Sequence, residues 1–273
     1  MKLVVDSNQL RDESLAAFLR FNPRNVAVLP DYAAMEALKG DPVIGMFESM
    51  KVLARFHSQV QILKTTMVVC GLSGCSRGLQ RRLIDVPRTK DFELFCRNLV
   101  HARSGSPPLV SKLKDLGEES RSHMARVEKD ALGFADASVK AARLFTTEER
   151  GKILAPGSLS PILHKKLLLQ VMHLSAFVFN VHPAVKRLPS SEELLNTYIF
   201  RSSICHLLLG FKYASDGGVP GKATTRIRND MVDSHFATYA TFFDGLLSAD
   251  VLTNHLYHAT TRVLSRFRTT YLQ

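Results

Sequence analysis

Acidic residues are in short supply. The chain has 25 Asp and Glu against 36 Lys and Arg, a formal net charge of +11 and an isoelectric point near 9.7. Such a balance attracts polyanions, nucleic acid first and anionic membrane second, although part of it also serves solubility. Cysteine is scarce too. Cys70 and Cys75 flank four residues, and Cys96 and Cys205 make no second pair, which argues against a disulfide framework or a zinc site. Reduced thiols in a cytoplasmic setting are expected. The most apolar stretch, about 167–185, is interrupted by Gln170, His173, Asn180 and His182. It reads as a buried core helix, with no membrane contact expected. The first residues lead directly into a strand, so no signal peptide is expected. No internal repeat or low-complexity tract stands out.

The 273 residues, 45% of them hydrophobic, suffice for one large domain or one domain with a sizeable insertion. Periodicity predicts strands at 2–6 and 25–29 and a third within 59–70, with helices at 11–21, 31–39 and 43–58. Residues 71–87 read as a loop or short helix. Helices follow at about 89–103, 107–142, 146–154, 158–180 and 190–212, separated by Gly/Pro/Ser breaks. After a polar loop at 215–221 come a helix at 229–243, a short strand at 245–248 and a final helix at 251–268.

Against this sparse acidity, four segments place carboxylates where a strand gives way to a loop or helix. They are Leu3-Val4-Val5-Asp6-Ser7-Asn8, the run from Val26 through Asp31 to Glu36, Arg228-Asn229-Asp230-Met231-Val232-Asp233, and Leu246-Leu247-Ser248-Ala249-Asp250. Open parallel sheets bind ligands at the carboxyl ends of their strands. Carboxylates gathered there repel one another unless a cation lies between them, and hard oxygen ligands favour Mg²⁺ or Mn²⁺.

The order and local chemistry of these segments resemble the PIN-domain family of metal-dependent nucleases. The matching pieces are V-V-D-S-N at 4–8, L-P-D-Y-A-A-M-E at 29–36, N-D-M-V-D at 229–233 and L-L-S-A-D at 246–250. The resemblance implies an α/β fold, three-layer α/β/α around a short central parallel sheet. Residues 1–70 and 216–273 would form that catalytic domain, interrupted by a large α-helical insertion at 71–215. That insertion is far longer than the connection in a minimal member of the family. The resemblance further implies hydrolysis of RNA, or single-stranded DNA, leaving a 5′-phosphate and a 3′-hydroxyl.

Asp6, Glu36, Asp233 and Asp250 are the expected catalytic metal ligands, with Asp230 as the alternative or outer-shell partner of Asp233. Asp6 could instead be a turn or cap residue, and Glu36 a surface carboxylate. Asp230 and Asp233 share a helical face, and the predicted helix start at 229 puts both near its positive end. Asp31 is expected to cap its helix and Asp244 to sit in a turn. Ser248 is assigned by the resemblance to metal-bound water or phosphate. Lys222, Arg226 and Arg228, and separately Arg81 and Arg82 with Arg77 and Arg88, are expected to contact backbone phosphates, a solvated basic loop being the alternative.

Other signals are discounted. The segment 217–224 resembles a phosphate-binding loop but has Asp216 in place of the first glycine and Ala223 after Lys222. Arg201-Ser202-Ser203-Ile204-Cys205-His206 matches the short R-x₄-H pattern of helical HEPN ribonucleases. His255 and His258 lack a third ligand. The expected activity is a metal-dependent endoribonuclease, with a non-catalytic nucleic-acid or protein-binding module or a DNA-directed nuclease as alternatives. The helical middle is a place for a second copy or an inhibitory protein.

Overall fold

The apolar runs Lys2–Val5 and Val26–Leu29 are rich in β-branched residues and only four residues long, which suits strands buried on both faces. In the structure, a computed structural model describing residues 1–218 and 223–271, both are strands. The elements run β1 (Lys2–Val5), α1 (Glu13–Phe21), β2 (Val26–Leu29), α2 (Asp31–Ala37), α3 (Pro42–Arg55), β3 (Val60–Ile62), α4 (Thr66–Cys70), α5 (Leu79–Leu83) and α6 (Val86–Lys90). They continue with α7 (Phe92–Arg103), α8 (Pro107–Ala142), α9 (Thr147–Leu154), α10 (Pro161–Val181), α11 (Ser191–Leu194), α12 (Tyr198–Ser215), α13 (Thr224–Ala240), β4 (Gly245–Leu247) and α14 (Val251–Tyr271). The class is α/β: a mostly helical chain around one all-parallel sheet in the order β3-β2-β1-β4.

Two compact units divide the described chain. The first holds Met1–Thr66, Leu83–Val127 and Phe243–Asp250, and the second holds Met67–Arg82, Glu128–Phe242 and the residues from Val251.

In the first unit, β1 is central. Leu3 faces Ala27 of β2 on one side and Gly245 of β4 on the other. Val4, Val5, Ala27 and Val28 are fully buried. Helix α1 begins where Asp12 accepts the Ser14 N–H at 2.8 Å, and it buries Leu15, Ala16 and Leu19. Asp41 caps α3 by accepting from Val43 and Ile44, both at 2.9 Å, with Pro42 in the first turn. Gly45 lets α3 approach the end of α2, since a Cβ there would collide with the Ala37 carbonyl oxygen. Buried Gln59 closes the loop after α1, its amide donating to the carbonyls of Leu19, Asn22 and Asn25 at 2.9–3.0 Å.

The third strand is shorter than its composition predicts. Beyond Ile62 the chain pairs with 83–84, Lys64 donating to the Leu83 carbonyl at 2.8 Å. Thr66 then donates both N–H and Oγ to Asp31 at 2.7 Å, and the following apolar residues coil into α4. Asp31 is therefore the first residue of α2, with Pro30 as the cap. Its carboxylate serves Thr66, and within α2 it accepts the Tyr32 N–H.

The second unit is built around α12, whose residues from Tyr198 to Phe211 are almost all buried. It packs against α10, α13 and α14. Gly210 permits close passage of α8, because a Cβ there would meet the Ser138 carbonyl oxygen. Thr197 caps α12 by accepting the Phe200 N–H, which is why the helix expected at 190–212 is two elements.

Two expectations are corrected here. Helix α13 starts at Thr224 rather than 229, so Asp230 and Asp233 lie beyond its first turn and the helix dipole gives neither a reason to be acidic. Helix α10 is not a wholly buried core helix. Leu163, Leu167, Val171, Ser175 and Phe179 recur every four residues and face inward, whereas Leu169, Phe177 and Val181 are exposed. By length and composition α10 is long and apolar enough to cross a membrane, with 28% of its most apolar window buried.

Candidate functional site

The order β3-β2-β1-β4 carries the chain outward from β1 and then back to its other side, so the strand order reverses between β1 and β4. Ligands of open parallel sheets bind at such a reversal, beyond the carboxyl ends of the strands. Asp6 follows β1 there, and its N–H donates to the Leu247 carbonyl at 3.0 Å, extending the ladder to the last residue of β4. The Asp6 side chain is 2% exposed.

Two donors converge on Asp6 Oδ2. Ser248 Oγ donates at 2.5 Å and Asn8 Nδ2 at 2.7 Å. Asn8 also accepts the Ala249 N–H at 3.2 Å through Oδ1, tying the loops after β1 and β4 together. The Ser248 oxygen is itself fixed by the Asp250 N–H at 3.0 Å. Asp6 precedes a short helical turn without capping it, because its carboxylate accepts side-chain donors. Ser7 reaches the other side of the site, donating to Glu36 and, at 3.4 Å, to Asp6 Oδ1. Glu36, in the last turn of α2, also pairs with Lys39.

These contacts set the electrostatics. Burial pushes the Asp6 carboxyl above its ordinary value, the Ser248 hydroxyl pulls it back, and the negative charges of Glu36 and Asp250 push it up again. Asp6, Glu36, Ser248 and Asp250 are therefore one neighbourhood, drawn from the ends of β1, α2 and β4. Their donors are hard oxygens, matching Mg²⁺ or Mn²⁺. They are not a preassembled cage: among the described residues no group of three or more His, Cys, Asp or Glu is spaced to hold a metal ion.

Asp230 and Asp233 lie on α13 in the second unit. Asp230 accepts the Tyr213 hydroxyl at 2.9 Å, and burial with this carboxylate beside it raises the Tyr213 phenol. Arg228 is committed to Glu128 at 2.6 Å, while Arg226 is exposed. Arg82 folds back on the carbonyls of Cys75 and Arg77 at 2.6 and 2.8 Å, and Arg81 is exposed. Lys222 and half of the segment resembling a phosphate-binding loop, residues 219–222, lie outside the described residues.

Arg201 is fully buried, its Nε donating to the Leu195 carbonyl at 2.9 Å and its guanidinium 3.9 Å from the centre of the Phe242 ring. His206 has its Nε2 closed off from solvent. The R-x₄-H pair thus belongs to helix packing. Tyr239, Phe242 and Phe243 are core residues.

Sequence reasoning missed the parts played by Ser7, Asn8, Arg11 and Lys39. The first two were visible only as members of V-V-D-S-N. Lys39 carried one signal, its i+3 spacing from Glu36. Comparison with protein-family models, curated proteins and solved structures finds no match.

Proposed function

We propose that this protein is a PIN-like, metal-dependent endoribonuclease. The observation that carries the reading is buried Asp6 at the strand-order reversal, in the field of Glu36 and Asp250 and hydrogen-bonded to Ser248. Asp6, Glu36 and Asp250, all in the first unit, would hold Mg²⁺ or Mn²⁺. When bound, such an ion supplies Lewis acidity toward phosphate oxygens and lowers the pKa of water. Two like charges beside a buried carboxylate are relieved by a divalent cation, which favours this role over a purely structural one.

The residues around Asp6 do the positioning. Asn8 and Ser248 hold Oδ2, and Ser7 aligns Glu36 with Asp6. Exposed Arg81 and Arg226, with Lys222, supply charge for the RNA backbone, in keeping with the net charge of +11. Cleavage would leave a 5′-phosphate and a 3′-hydroxyl.

The test is cleavage of labelled single-stranded RNA and DNA with Mg²⁺ or Mn²⁺, wild type beside Asp6→Asn. Metal-dependent RNA cutting that falls at least about 100-fold in the variant is expected, since loss of even an outer-shell partner costs about 10–100-fold. Cutting that survives Asp6→Asn removes this site from the reaction. RNA binding without cutting leaves a binding module, and preferential cutting of DNA leaves a DNA-directed nuclease.

A further inference from the structure

Beside the acidic site lies a cavity of about 380 Å³ within the first unit, lined by Ser7, Asn8, Arg11, Glu36, Lys39 and Ser49 among others. Its size is at the lower end for small-molecule sites. Its chemistry differs from that of the carboxylate cluster it adjoins. Two cations meet one carboxylate, and that carboxylate is already engaged by Lys39 and Ser7. Among the described residues the Arg11 guanidinium has no acidic partner.

Arg11 is also pre-positioned. Its Nε and Nη2 donate to Ser49 Oγ, both at 3.2 Å, and Nη2 reaches the Gly45 carbonyl at 3.1 Å. Ser49 is 3% exposed and Gly45 lies within α3, so the guanidinium plane is anchored to a packed helix. Nη1 has no protein partner among the described residues. With Nε–H and both Nη2 hydrogens taken, the guanidinium is held in place and its two Nη1 hydrogens remain to donate to an oxyanion. Lys39 has three donors, of which Glu36 takes one, leaving two for a second oxygen. Leu10 and Ala37 add an apolar wall.

We propose that this cavity is a phosphate-binding subsite that takes one nucleotide unit, with Arg11 and Lys39 holding its phosphate. The inference rests on the nuclease reading, which makes a nucleotide the relevant anion. It assigns the strand a fixed point of attachment next to Asp6 and Glu36. Arg11 and Lys39 are then binding residues, and the surface arginines serve only general attraction.

Binding of 5′-AMP, adenosine and inorganic phosphate is measured by calorimetry in EDTA, so that no cleavage reading enters. The wild type is expected to bind 5′-AMP at least about tenfold more tightly than adenosine, the worth of a charge-assisted contact. Arg11→Ala and Lys39→Gln should each weaken 5′-AMP about tenfold and leave adenosine unchanged. Because Arg11→Ala also removes hydrogen bonds to α3, Lys39→Gln is the second variant, and both are melted beside the wild type. Equal binding of adenosine and 5′-AMP, no binding of 5′-AMP, or indifference to Lys39→Gln in a folded variant overturns the subsite. Asp6→Asn should retain 5′-AMP binding. A protein that binds 5′-AMP through Arg11 and Lys39 but cuts nothing would lose the nuclease reading and keep the site. One that cuts RNA without these dependences would do the reverse.

Discussion

Ser248 donates its hydroxyl to Asp6 Oδ2 at 2.5 Å although 242 positions of chain separate them. The contact exists because β1 and β4 are parallel neighbours in register, Val5 beside Leu247, so the next residue of each strand emerges at the same edge. It is the largest influence lowering an Asp6 carboxyl that burial and two neighbouring carboxylates raise.

Ser248→Ala should therefore raise the Asp6 pKa further. If ionised Asp6 is needed, the acid limb of the cleavage pH–rate profile moves to higher pH, by about one unit for the loss of one strong hydrogen bond. Ser248→Thr, which keeps the hydroxyl, should leave the limb in place. A profile unmoved by Ser248→Ala would separate Asp6 ionisation from this bond.

Asp6 also makes a stability prediction. Its folded-state pKa lies above the unfolded value of 3.8, so its contribution is fully present below that pH and is lost as pH rises through the raised value. Asp6→Asn should thus be more stable than wild type at neutral pH and no more stable in acid. Thermal melts at the two pH values check this, and Mg²⁺ should raise the wild-type midpoint more than that of the variant. A variant that melts lower at neutral pH contradicts the account.

His206 behaves in the opposite sense. Burial lowers its pKa from 6.5 to about 4, and its ring packs edge-on against Phe134 at 4.6 Å with His235 at 6.1 Å. Between these pH values the unfolded chain binds a proton that the folded chain does not, so stability falls as pH drops from about 6.5 toward 4. The loss should be on the order of 1–3 kcal/mol. Denaturant unfolding of His206→Leu across that range should show a shallower fall than wild type. An unchanged slope would assign acid sensitivity to other groups.

What was legible followed from local chemistry. Val4-Val5-Asp6 and Val26–Leu29 announce themselves because short β-branched runs suit strands. The start of α13 was not legible. Thr224 and Thr225 have weak helix propensity, and Ala223 offers no side-chain cap, so the start of the helix carries no marker. The exposed side of α10 could not be read either, because an apolar residue does not encode whether a neighbour covers it.

The sequence by itself determined most of the elements and placed Asp6 just after β1 and Asp250 just after β4, since backbone preference and side-chain period act over a few residues. It also determined the excess of positive charge. Only the tertiary structure decided that Ser248 and Asn8 clasp Asp6, that Asp31 serves Thr66, and that Arg11 is anchored on Ser49 and Gly45. These depend on which strands pair and how closely α2 and α3 approach. Strand register and helix contact are long-range outcomes of burying a shared core, and no local pattern carries them.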